Sequence, residues 1–295
     1  MAESNLKSGP GCLALLGATG NTGRMVLKKL LENAEVSADG INIYVRSRTK
    51  LEILFPSLSN DRRVRIIEGS IKDHAVIQNC LAAASTIICT LGENENIPGV
   101  TVLEDFARAT INALSTFQSN HESSIQPRLI MLSSATMNPR FAAARPAILH
   151  WMIRTAFDKP YNDLIKAQEM LLAVPELLSV TLIQPNALVE EESTGCILST
   201  EFAYIACSYE DLAEGFVRVC TSAPLENLPR IGVSSARAEN PVFYAPFVLG
   251  KVFRGLAFQF IPGRILDHST PPKPIKELEK GLKVTVDHGD ADSEL

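Results

Sequence analysis

The stretch from Cys12 to Arg24, C-L-A-L-L-G-A-T-G-N-T-G-R, limits the possible folds of this chain more than any other. It contains a short apolar run, 13–16, which is typical of a strand buried on both faces of a sheet. Three glycines at G-x-x-G-x-x-G spacing and a segment that predicts a helix come next: Gly17, Gly20, Gly23 and 25–31. A strand, a glycine turn and a helix in this order form a phosphate cradle, because the helix start presents N–H groups and a partial positive charge.

Each glycine of this turn has its own expected role. Gly17 permits a tight turn, Gly20 lets the backbone approach a pyrophosphate, and Gly23 lets the helix pack closely against the strand. A glycine-rich turn that binds nothing is the alternative. The strand before the glycines and the helix after them favour dinucleotide binding.

The composition is that of a globular protein and argues against several classes. The 295 residues are 46% hydrophobic and 21% charged, and the formal net charge of −5 argues against a nucleic-acid partner. No apolar stretch reaches the roughly 18 residues of a membrane span, and the N-terminus has no signal-peptide core. Six cysteines without C-x-x-C pairs predict buried thiols, no metal site and a cytoplasmic location: Cys12, Cys80, Cys89, Cys196, Cys207 and Cys220.

Strands and helices continue to alternate along the chain. Short apolar runs predict further strands over 41–45, 64–68, 86–90, 128–132 and 178–183. Segments with apolar residues at helical spacing predict helices over 74–83, 103–117 and 161–172. The expected fold class is therefore α/β, a Rossmann-type doubly wound parallel sheet that binds ligands beyond the carboxyl ends of its strands.

The second predicted strand ends in a run of cations that includes Arg46, Arg48 and Lys50. An acidic residue at the end of this strand would bind the ribose hydroxyls of NAD, whereas an arginine accommodates the 2′-phosphate of NADP. Because a guanidinium fork matches a phosphate, Arg46 favours NADP. A solvated basic loop is the alternative.

Five short segments together indicate a known family. They are G-A-T-G-N-T-G-R at 17–24, V-R-S-R at 45–48, E-G-S-I-K-D at 68–73, L-S-S-A at 132–135 and Q-P-N-A-L at 184–188. Over about residues 12–220, the chain resembles an atypical short-chain dehydrogenase/reductase of the NmrA-like, NAD(P)H-binding type. The resemblance implies a Rossmann domain, bound NADP(H), and a substrate pocket that the C-terminal third builds over the nicotinamide.

The resemblance and the predicted strand ends together give a candidate cofactor site. Its residues are Gly17, Thr19, Gly20, Asn21, Thr22, Gly23, Arg46, Arg48, Ser70, Ile71, Thr90, Leu91, Gly92, Ser133, Lys166 and Pro185. Within the family pattern Ser70 and Ile71 lie beside the adenine and Pro185 borders the nicotinamide. Many relatives have an aspartate where this chain has Ser70.

The expected domain organisation has four parts. Residues 1–10 form a flexible N-terminus, and 11–190 form the NADP-binding Rossmann domain. Residues 191–270 form a substrate-binding or lid region that completes the same domain, and 271–295 form a polar tail.

The catalytic residues depart from the family pattern. Catalytic members of the superfamily use a serine after the fifth strand, a tyrosine, and a lysine four residues later on the same helix face. This chain has Ser134 and Lys166 in suitable places, but Asn162 occupies the tyrosine position. Tyr161 is one residue too early, which turns it about 100° around a regular helix.

Two interpretations of Tyr161 remain open. Either an irregular helix start after Pro160 brings its hydroxyl into position, or another group donates the proton. Regular helix geometry favours the second interpretation. Asp163 and Glu169 on the same predicted helix are expected to be surface ion-pair partners.

The segment 137–159 is unusually apolar and contains the only tryptophan of the chain, Trp151. A helix over 147–153 is predicted to fold over the site as a lid. His150 on this helix is a candidate proton donor because the histidine pKa suits proton transfer near neutrality. A packed, hydrogen-bonded histidine is the alternative.

The last third contains a predicted helix start at Asp211 and a segment, 240–265, that is rich in phenylalanine and other large apolar residues. This segment is expected to form a pocket wall or a homodimer face, with a helix lying on a membrane surface as a third alternative.

Two functions from different classes fit these features. The first is an NADP(H)-dependent oxidoreductase, or an isomerase-like accessory enzyme, that acts on a small apolar or aromatic carbonyl-type metabolite in a fungal secondary-metabolite pathway. The second is a non-catalytic NADP-binding redox sensor that binds a protein partner. Ser134 and Lys166 favour the enzyme, whereas the misplaced Tyr161 favours the sensor.

Overall fold

The computed structural model of the chain describes residues 12–33, 40–93, 95–120, 126–143 and 145–260, without the side chains of 258–260. These residues belong to one compact unit, Met1–Ile265, and the second unit, Leu266–Leu295, lies outside them. The predicted flexible N-terminus (1–10) and polar tail (271–295) also lie outside the described residues. The predicted division near residue 190 stays a prediction.

The core of the protein is an eight-stranded sheet with the strand order β3-β2-β1-β4-β5-β6-β10-β8. The strands are β1 (Cys12–Leu16), β2 (Ile41–Val45), β3 (Val64–Glu68), β4 (Ala84–Cys89), β5 (Arg128–Leu132), β6 (Ser179–Pro185), β8 (Cys196–Ser199) and β10 (Arg230–Ser235). All neighbours pair in parallel except the edge strand β8, which runs antiparallel to β10. Two short strands, β7 (Ala187–Val189) and β9 (Ala206–Ser208), form a separate parallel pair. The predicted doubly wound α/β fold is confirmed.

Nine α-helices are described. They are α1 (Asn21–Glu32), α2 (Arg48–Leu54), α3 (His74–Leu81), α4 (Val102–Ser119), α5 (Pro139–Ala142), α6 (Ala147–Ala156), α7 (Asp158–Leu172), α8 (Tyr209–Thr221) and α9 (Ala245–Phe260). Successive side chains of β1 point to opposite faces, as in any strand. Leu13 and Leu15 therefore join the core under α1 and α8, whereas Ala14 and Leu16 join the core under α3, α4 and α7.

The structure corrects two predicted helix starts. The helix expected from Tyr161 begins at Asp158, so Pro160 lies within its first turn, where backbone N–H groups have no partner inside the helix. The helix expected from Asp211 begins at Tyr209, because the Ser208 side chain accepts the N–H of Asp211 and caps it.

Strands β8 and β10 were not predicted, although they complete one side of the sheet. β10 contains Gly232 and two serines, which weaken its strand pattern. The glycine is required there, since a Cβ atom at Gly232 would lie 2.3 Å from the backbone oxygen of Phe202.

Asp163 joins two helices that support the site. It is buried, and its two carboxylate oxygens each accept a backbone N–H from the start of α4, from Leu103 and from Glu104, both at 2.9 Å. The prediction that Asp163 is a surface ion-pair partner was wrong. The carboxylate instead caps a neighbouring helix, where the helix dipole favours a negative charge.

Asp163→Ala is expected to lower the free energy of unfolding by about 1–3 kcal/mol, because it leaves two N–H groups of α4 without their acceptor. Urea unfolding of the variant and the parent measures the change. Glu176→Gln, at an exposed position, is the control and should leave the midpoint nearly unchanged. An Asp163→Ala midpoint equal to the parent's would show that the cap contributes nothing.

Candidate functional site

The predicted site residues lie along one edge of the sheet. The parallel strands β1 and β4 are neighbours in the centre of the sheet, and the strand order reverses between them, because β2 and β3 lie on one side of β1 and the strands from β4 onwards lie on the other. In open α/β sheets, ligands bind in the crevice beyond the carboxyl ends of the strands at this point. Gly17 follows β1 and Thr90 follows β4, so both border this crevice.

The glycine turn has two glycines that the protein's own packing requires. Gly17 has φ of +100°, and a Cβ atom there would lie 2.6 Å from Thr90 Oγ1. At Gly23 a Cβ atom would lie 2.0 Å from Gly17 O. Both positions therefore need glycine whatever the turn binds.

Gly20 differs from these two. Its φ is −83°, it is exposed, and the only neighbour that a Cβ atom would meet is Gly17 O at 3.4 Å, an ordinary contact. No side chain caps α1, which begins at the next residue. An open space above bare backbone at an uncapped helix start fits a dinucleotide pyrophosphate. The residues present therefore fit the predicted cofactor.

The other predicted residues of the turn surround this space. Thr19 is half-buried and Thr22 is buried in the first turn of α1. The side chain of Asn21 hydrogen-bonds Tyr209 at the start of α8. Burial raises the pKa of Tyr209, and the bond with Asn21 partly offsets the rise.

The two predicted phosphate-binding arginines have different surroundings. Arg46 is exposed, and no ion pair or hydrogen bond of its side chain is present within the described part of the chain. Arg48 donates its backbone N–H to Glu68, 3.0 Å away, and its guanidinium contacts Ile66 O at 3.4 Å and Glu52 at 3.9 Å. Arg46 is therefore the better placed of the two to meet a ribose phosphate.

The remaining predicted residues also follow strand ends. After β3, Ser70 is exposed and Ile71 is buried in the core. After β4, Thr90 bonds Leu16 O through both its backbone N–H and its hydroxyl, at 2.9 and 3.0 Å. Leu91 and Gly92 follow Thr90, and Pro185 ends β6.

Ser134 and Tyr161 meet at the end of β5. Ser134 caps the short turn Ala135–Met137, and its Oγ lies 3.2 Å from the hydroxyl oxygen of Tyr161. Tyr161 is on α7, and its ring packs against that of Phe157 with centroids 6.0 Å apart. α7 therefore brings a tyrosine hydroxyl to Ser134, although Tyr161 stands one residue before the position expected for the catalytic tyrosine.

Lys166 does not join this pair. Its Nζ lies 3.3 Å from Glu104 Oε2, and its side chain is 63% exposed. The residue four positions after Tyr161 is Ile165, which lines the cleft described below. Tyr161 and Lys166 thus contact different neighbours, as their five-residue separation on a regular helix requires.

A series of hydrogen-bonded polar side chains, which the sequence did not predict, surrounds Ser133, the residue before Ser134. The hydroxyl of Ser133 accepts hydrogen bonds from Gln168 at 3.0 Å and from Gln184 at 3.4 Å. Gln184 in turn accepts a bond from Asn138 at 2.9 Å. Ser133 is therefore engaged by side chains from β6 and α7.

A cleft of about 900 Å³ is lined by neighbours of the Ser134–Tyr161 pair in the chain, such as Thr136 and Ile165, but not by Ser134 or Tyr161 themselves. Its apolar lining includes Met137, Trp151, Ile165 and Leu172. Its polar lining includes His150 and Arg154 of α6, and Arg145, which lies two residues before α6. The predicted helix over 147–153 is confirmed as the first part of α6.

His150 has an unusual environment within this cleft. Burial lowers its pKa, and the positive charges of Arg145 and Arg154 lower it further. Its Nδ1 atom is buried and has no hydrogen-bond partner among the described residues. The neutral imidazole therefore predominates at neutral pH, which makes His150 a weak proton donor.

The two arginines are functional candidates that the sequence analysis missed. The available signal was the presence of cations inside an otherwise apolar segment, 137–159. Arg145 donates to Thr136 Oγ1 at 3.0 Å and to Asn186 Oδ1 at 2.6 Å. Arg154 lies 5.7 Å from the centre of the Tyr161 ring.

The phenylalanine-rich helix α9 packs on the outer side of α6. Val252 is buried against Ile153 and Ala156, and a Cβ atom at Gly255 would lie 2.5 Å from Ala156 O. Phe253 of the same helix is 60% exposed. α9 thus packs against a helix that lines the cleft, but none of its own described residues lines it, so the pocket-wall, homodimer-face and membrane-surface alternatives for 240–265 stay predictions.

No described helix combines the length and apolarity needed to cross a membrane. Over the same residues there is no group of three or more His, Cys, Asp or Glu that could hold a metal ion. The cysteines are free thiols, and burial raises the pKa of Cys80 and Cys89 to about 12, which makes them poor nucleophiles.

Comparison with known proteins gave consistent matches. A family model described as NAD(P)H-binding matches residues 17–223. The chain is 31% identical over 262 residues to "Oxidoreductase ordB" of Dothistroma septosporum, covering 89% of this chain and 96% of the relative. It is 32% identical over 273 residues to "Oxidoreductase aflX" of Aspergillus parasiticus, covering 90% of this chain and 98% of the relative.

Solved structures match at lower identity. A wide-type short-chain dehydrogenase/reductase of Veillonella parvula, solved in complex with NADP, matches with a TM-score of 0.58 and 19% identity. The match covers 78% of this chain and 97% of that chain. It supports the Rossmann-type architecture.

Proposed function

The chain belongs to the NAD(P)H-binding, NmrA-like family of atypical short-chain dehydrogenases/reductases, and on that premise we propose that it is an NADP(H)-dependent oxidoreductase. The observation that supports a catalytic role most directly is the contact of 3.2 Å between Ser134 Oγ and the Tyr161 hydroxyl. This pair lies after β5, next to the strand that borders the crevice.

The glycine turn and the strand ends would hold the cofactor. Backbone N–H groups at the start of α1 bind the pyrophosphate over Gly20, and Arg46 binds the 2′-phosphate. Pro185, at the end of β6, would border the nicotinamide. When bound, the reduced nicotinamide supplies a hydride to the substrate.

In this proposal Ser134 binds the substrate oxygen and Tyr161 is the general acid. The hydroxyl of Ser134 donates a hydrogen bond to the carbonyl oxygen of the substrate and holds it in place. The phenol of Tyr161 donates its proton to that oxygen as negative charge develops there. Ser133, anchored by Gln168 and Gln184, fixes the backbone just before Ser134.

The substrate in this proposal is a small apolar or aromatic carbonyl compound of fungal secondary metabolism. The support is the apolar part of the cleft, where Met137, Trp151 and Ile165 provide flat and flexible contacts. Fungal relatives named as oxidoreductases support the setting. NADPH consumption with a panel of aromatic aldehydes and ketones tests the activity. A lack of turnover across the panel in a protein that binds NADPH would count against it.

A non-catalytic NADP-binding sensor is the second candidate. The observation in its favour is that Lys166 pairs with Glu104 while Ile165 occupies the position four residues after Tyr161. A sensor would bind NADPH and NADP with different consequences for a protein partner, without consuming either. Turnover of any carbonyl compound that depends on Ser134 excludes this candidate.

The native protein is expected to bind NADP at least about tenfold more tightly than NAD, or about 1.4 kcal/mol. Arg46→Ala should remove most of this preference, because an exposed guanidinium without a partner then no longer meets the 2′-phosphate. Calorimetry with both cofactors measures the two affinities. Arg62→Ala, an exposed arginine outside the predicted site, is the control and should keep the preference. Equal affinities of the native protein for NADP and NAD would contradict the cofactor assignment.

A further inference from the structure

Three arginines line the cleft, of which Arg230 is exposed, and neither Arg145 nor Arg154 forms an ion pair with any described residue. The hydrogen bonds of Arg145 go to neutral acceptors, the Thr136 hydroxyl and the Asn186 amide oxygen. Arg154 contacts the sulfur of Met137 at 3.0 Å. Two guanidinium charges therefore enter the cleft without a carboxylate bonded to either.

The other ionisable groups around the cleft do not balance these charges. Glu169 lines the cleft from α7 but is exposed. The hydrogen bond with Lys159, at 2.8 Å, is the main cause that lowers the pKa of Asp158, and the charge of Arg154 adds a smaller effect. Between the arginines, the lowered pKa of His150 reflects burial and the positive field of both. The cleft thus holds an excess of positive charge.

This excess is costly for the free protein. Burial lowers the pKa of Arg145, although its guanidinium remains charged because the ordinary arginine pKa is so high. Burying part of a charged group removes water from it, and this desolvation costs free energy. Hydrogen bonds to neutral acceptors offset only part of that cost when no opposite charge is close. A negatively charged ligand would offset the remainder and would bind more tightly than a neutral ligand of the same shape.

We propose that Arg145 and Arg154 bind the carboxylate of an acidic aromatic substrate in this cleft. The inference rests on the proposed oxidoreductase function and names the substrate class more closely. A guanidinium matches a carboxylate with two parallel N–H donors, and Arg145 has donors left beyond the two bonds it makes. Trp151 and Ile165 contact the aromatic part, while the carbonyl group lies towards Ser134 and Tyr161.

The position of the arginines separates this anion site from the phosphates of the cofactor. The phosphate cradle follows β1, whereas Arg145 bonds to Thr136, in the turn after β5. β4 lies between β1 and β5, so the two sites are about 10 Å apart across the sheet. An aromatic acid in the cleft should therefore bind together with NADP and not compete with it.

Trp151 provides the measurement, since it lines the cleft and is the only tryptophan of the chain. We would titrate the full-length protein, with and without saturating NADP, with cinnamate and with cinnamamide, which differ in charge but little in shape. Tryptophan fluorescence reports occupancy of the cleft, and calorimetry gives the affinities. Cinnamate is expected to bind about tenfold or more tightly than cinnamamide in both states, the scale of one charge-assisted hydrogen bond.

Three arginine variants test the residues themselves. Arg154→Gln should remove most of the preference for cinnamate, and Arg154→Lys should retain part of it because the positive charge remains. Arg140→Gln is the matched control, since Arg140 is paired with Glu201 at 2.6 Å and does not line the cleft. Unchanged circular dichroism and NADP affinity establish that each variant is folded.

Three outcomes would overturn the proposal: equal affinities for the two compounds, an unchanged preference in Arg154→Gln, or displacement of cinnamate by NADP. Failure of the oxidoreductase function gives a different result. Preferential binding of cinnamate without turnover of any carbonyl compound would support the anion site and contradict the oxidoreductase function. Reduction of neutral aromatic aldehydes, together with equal affinities for cinnamate and cinnamamide, would support the oxidoreductase function and contradict the anion site.

Discussion

Gly20→Val is expected to abolish measurable NADP binding and to leave the fold intact. The proposed pyrophosphate lies against bare backbone at the uncapped start of α1, so the valine side chain would occupy its space. Loss of two charge-assisted hydrogen bonds alone would weaken binding by on the order of 10²–10⁴-fold. The protein itself should tolerate the change, since a Cβ atom at Gly20 meets only Gly17 O at 3.4 Å.

Calorimetry with NADP and thermal unfolding without cofactor measure the two effects separately. Gly250→Val is the control, because a Cβ atom at this position of α9 would meet nothing within 4 Å. It should change neither NADP affinity nor the melting temperature appreciably. Gly20→Ala should show an intermediate loss of affinity. Normal NADP binding by Gly20→Val would mean that the pyrophosphate lies elsewhere.

The part of the site that depends on local sequence was predictable. The turn after β1 could be identified because a buried strand, three spaced glycines and a helix are adjacent in the chain. The end of β2, which has cations and no acidic residue, was equally predictable, since the strand bounds Ile41–Val45 were predicted as observed. Residues at the ends of parallel strands meet at one edge, so their common location followed from the fold class.

The orientation of α7 could not be predicted in the same way. The helical spacing of apolar residues predicted that α7 is amphipathic. The predicted first residue, Tyr161, lies three positions after the observed first residue, Asp158. Its rotation about its own axis depends on how it docks against α4, and the buried Asp163 fixes that contact from 59 and 60 residues away in sequence. No local pattern reveals that Asp163 faces inwards or that Tyr161 faces Ser134.

The arginines of the cleft illustrate the same limit. Arg145 looks like a solvated cation in the sequence, but its two acceptors come from the turn after β5 and from the residue after β6. Those acceptors lie 9 and 41 residues away along the chain. Long-range hydrogen bonds of this kind place a charge in a cleft without any periodic signal.

The last expected result concerns the proton donor. Tyr161→Phe removes one hydroxyl and should lower kcat by on the order of 10²-fold or more, the usual scale of general acid catalysis. Helix geometry alone pointed to a smaller effect, because Tyr161 and Lys166 lie on different sides of α7. The contact of 3.2 Å between the Tyr161 hydroxyl and Ser134 Oγ is the reason to expect the larger one.

Turnover of one accepted carbonyl compound by the parent and by Tyr161→Phe decides between these expectations. Tyr204→Phe is the matched control, since it removes a hydroxyl from a tyrosine whose ring packs on Phe202 and which does not line the cleft. NADP affinity should be unchanged in both variants, because Tyr161 acts on the substrate oxygen. A loss below about threefold, well under 1 kcal/mol of barrier, would assign the proton to water or to another group of the cleft. Ser134→Ala would then have to be tested alone, because the serine can still hold the substrate oxygen without its tyrosine.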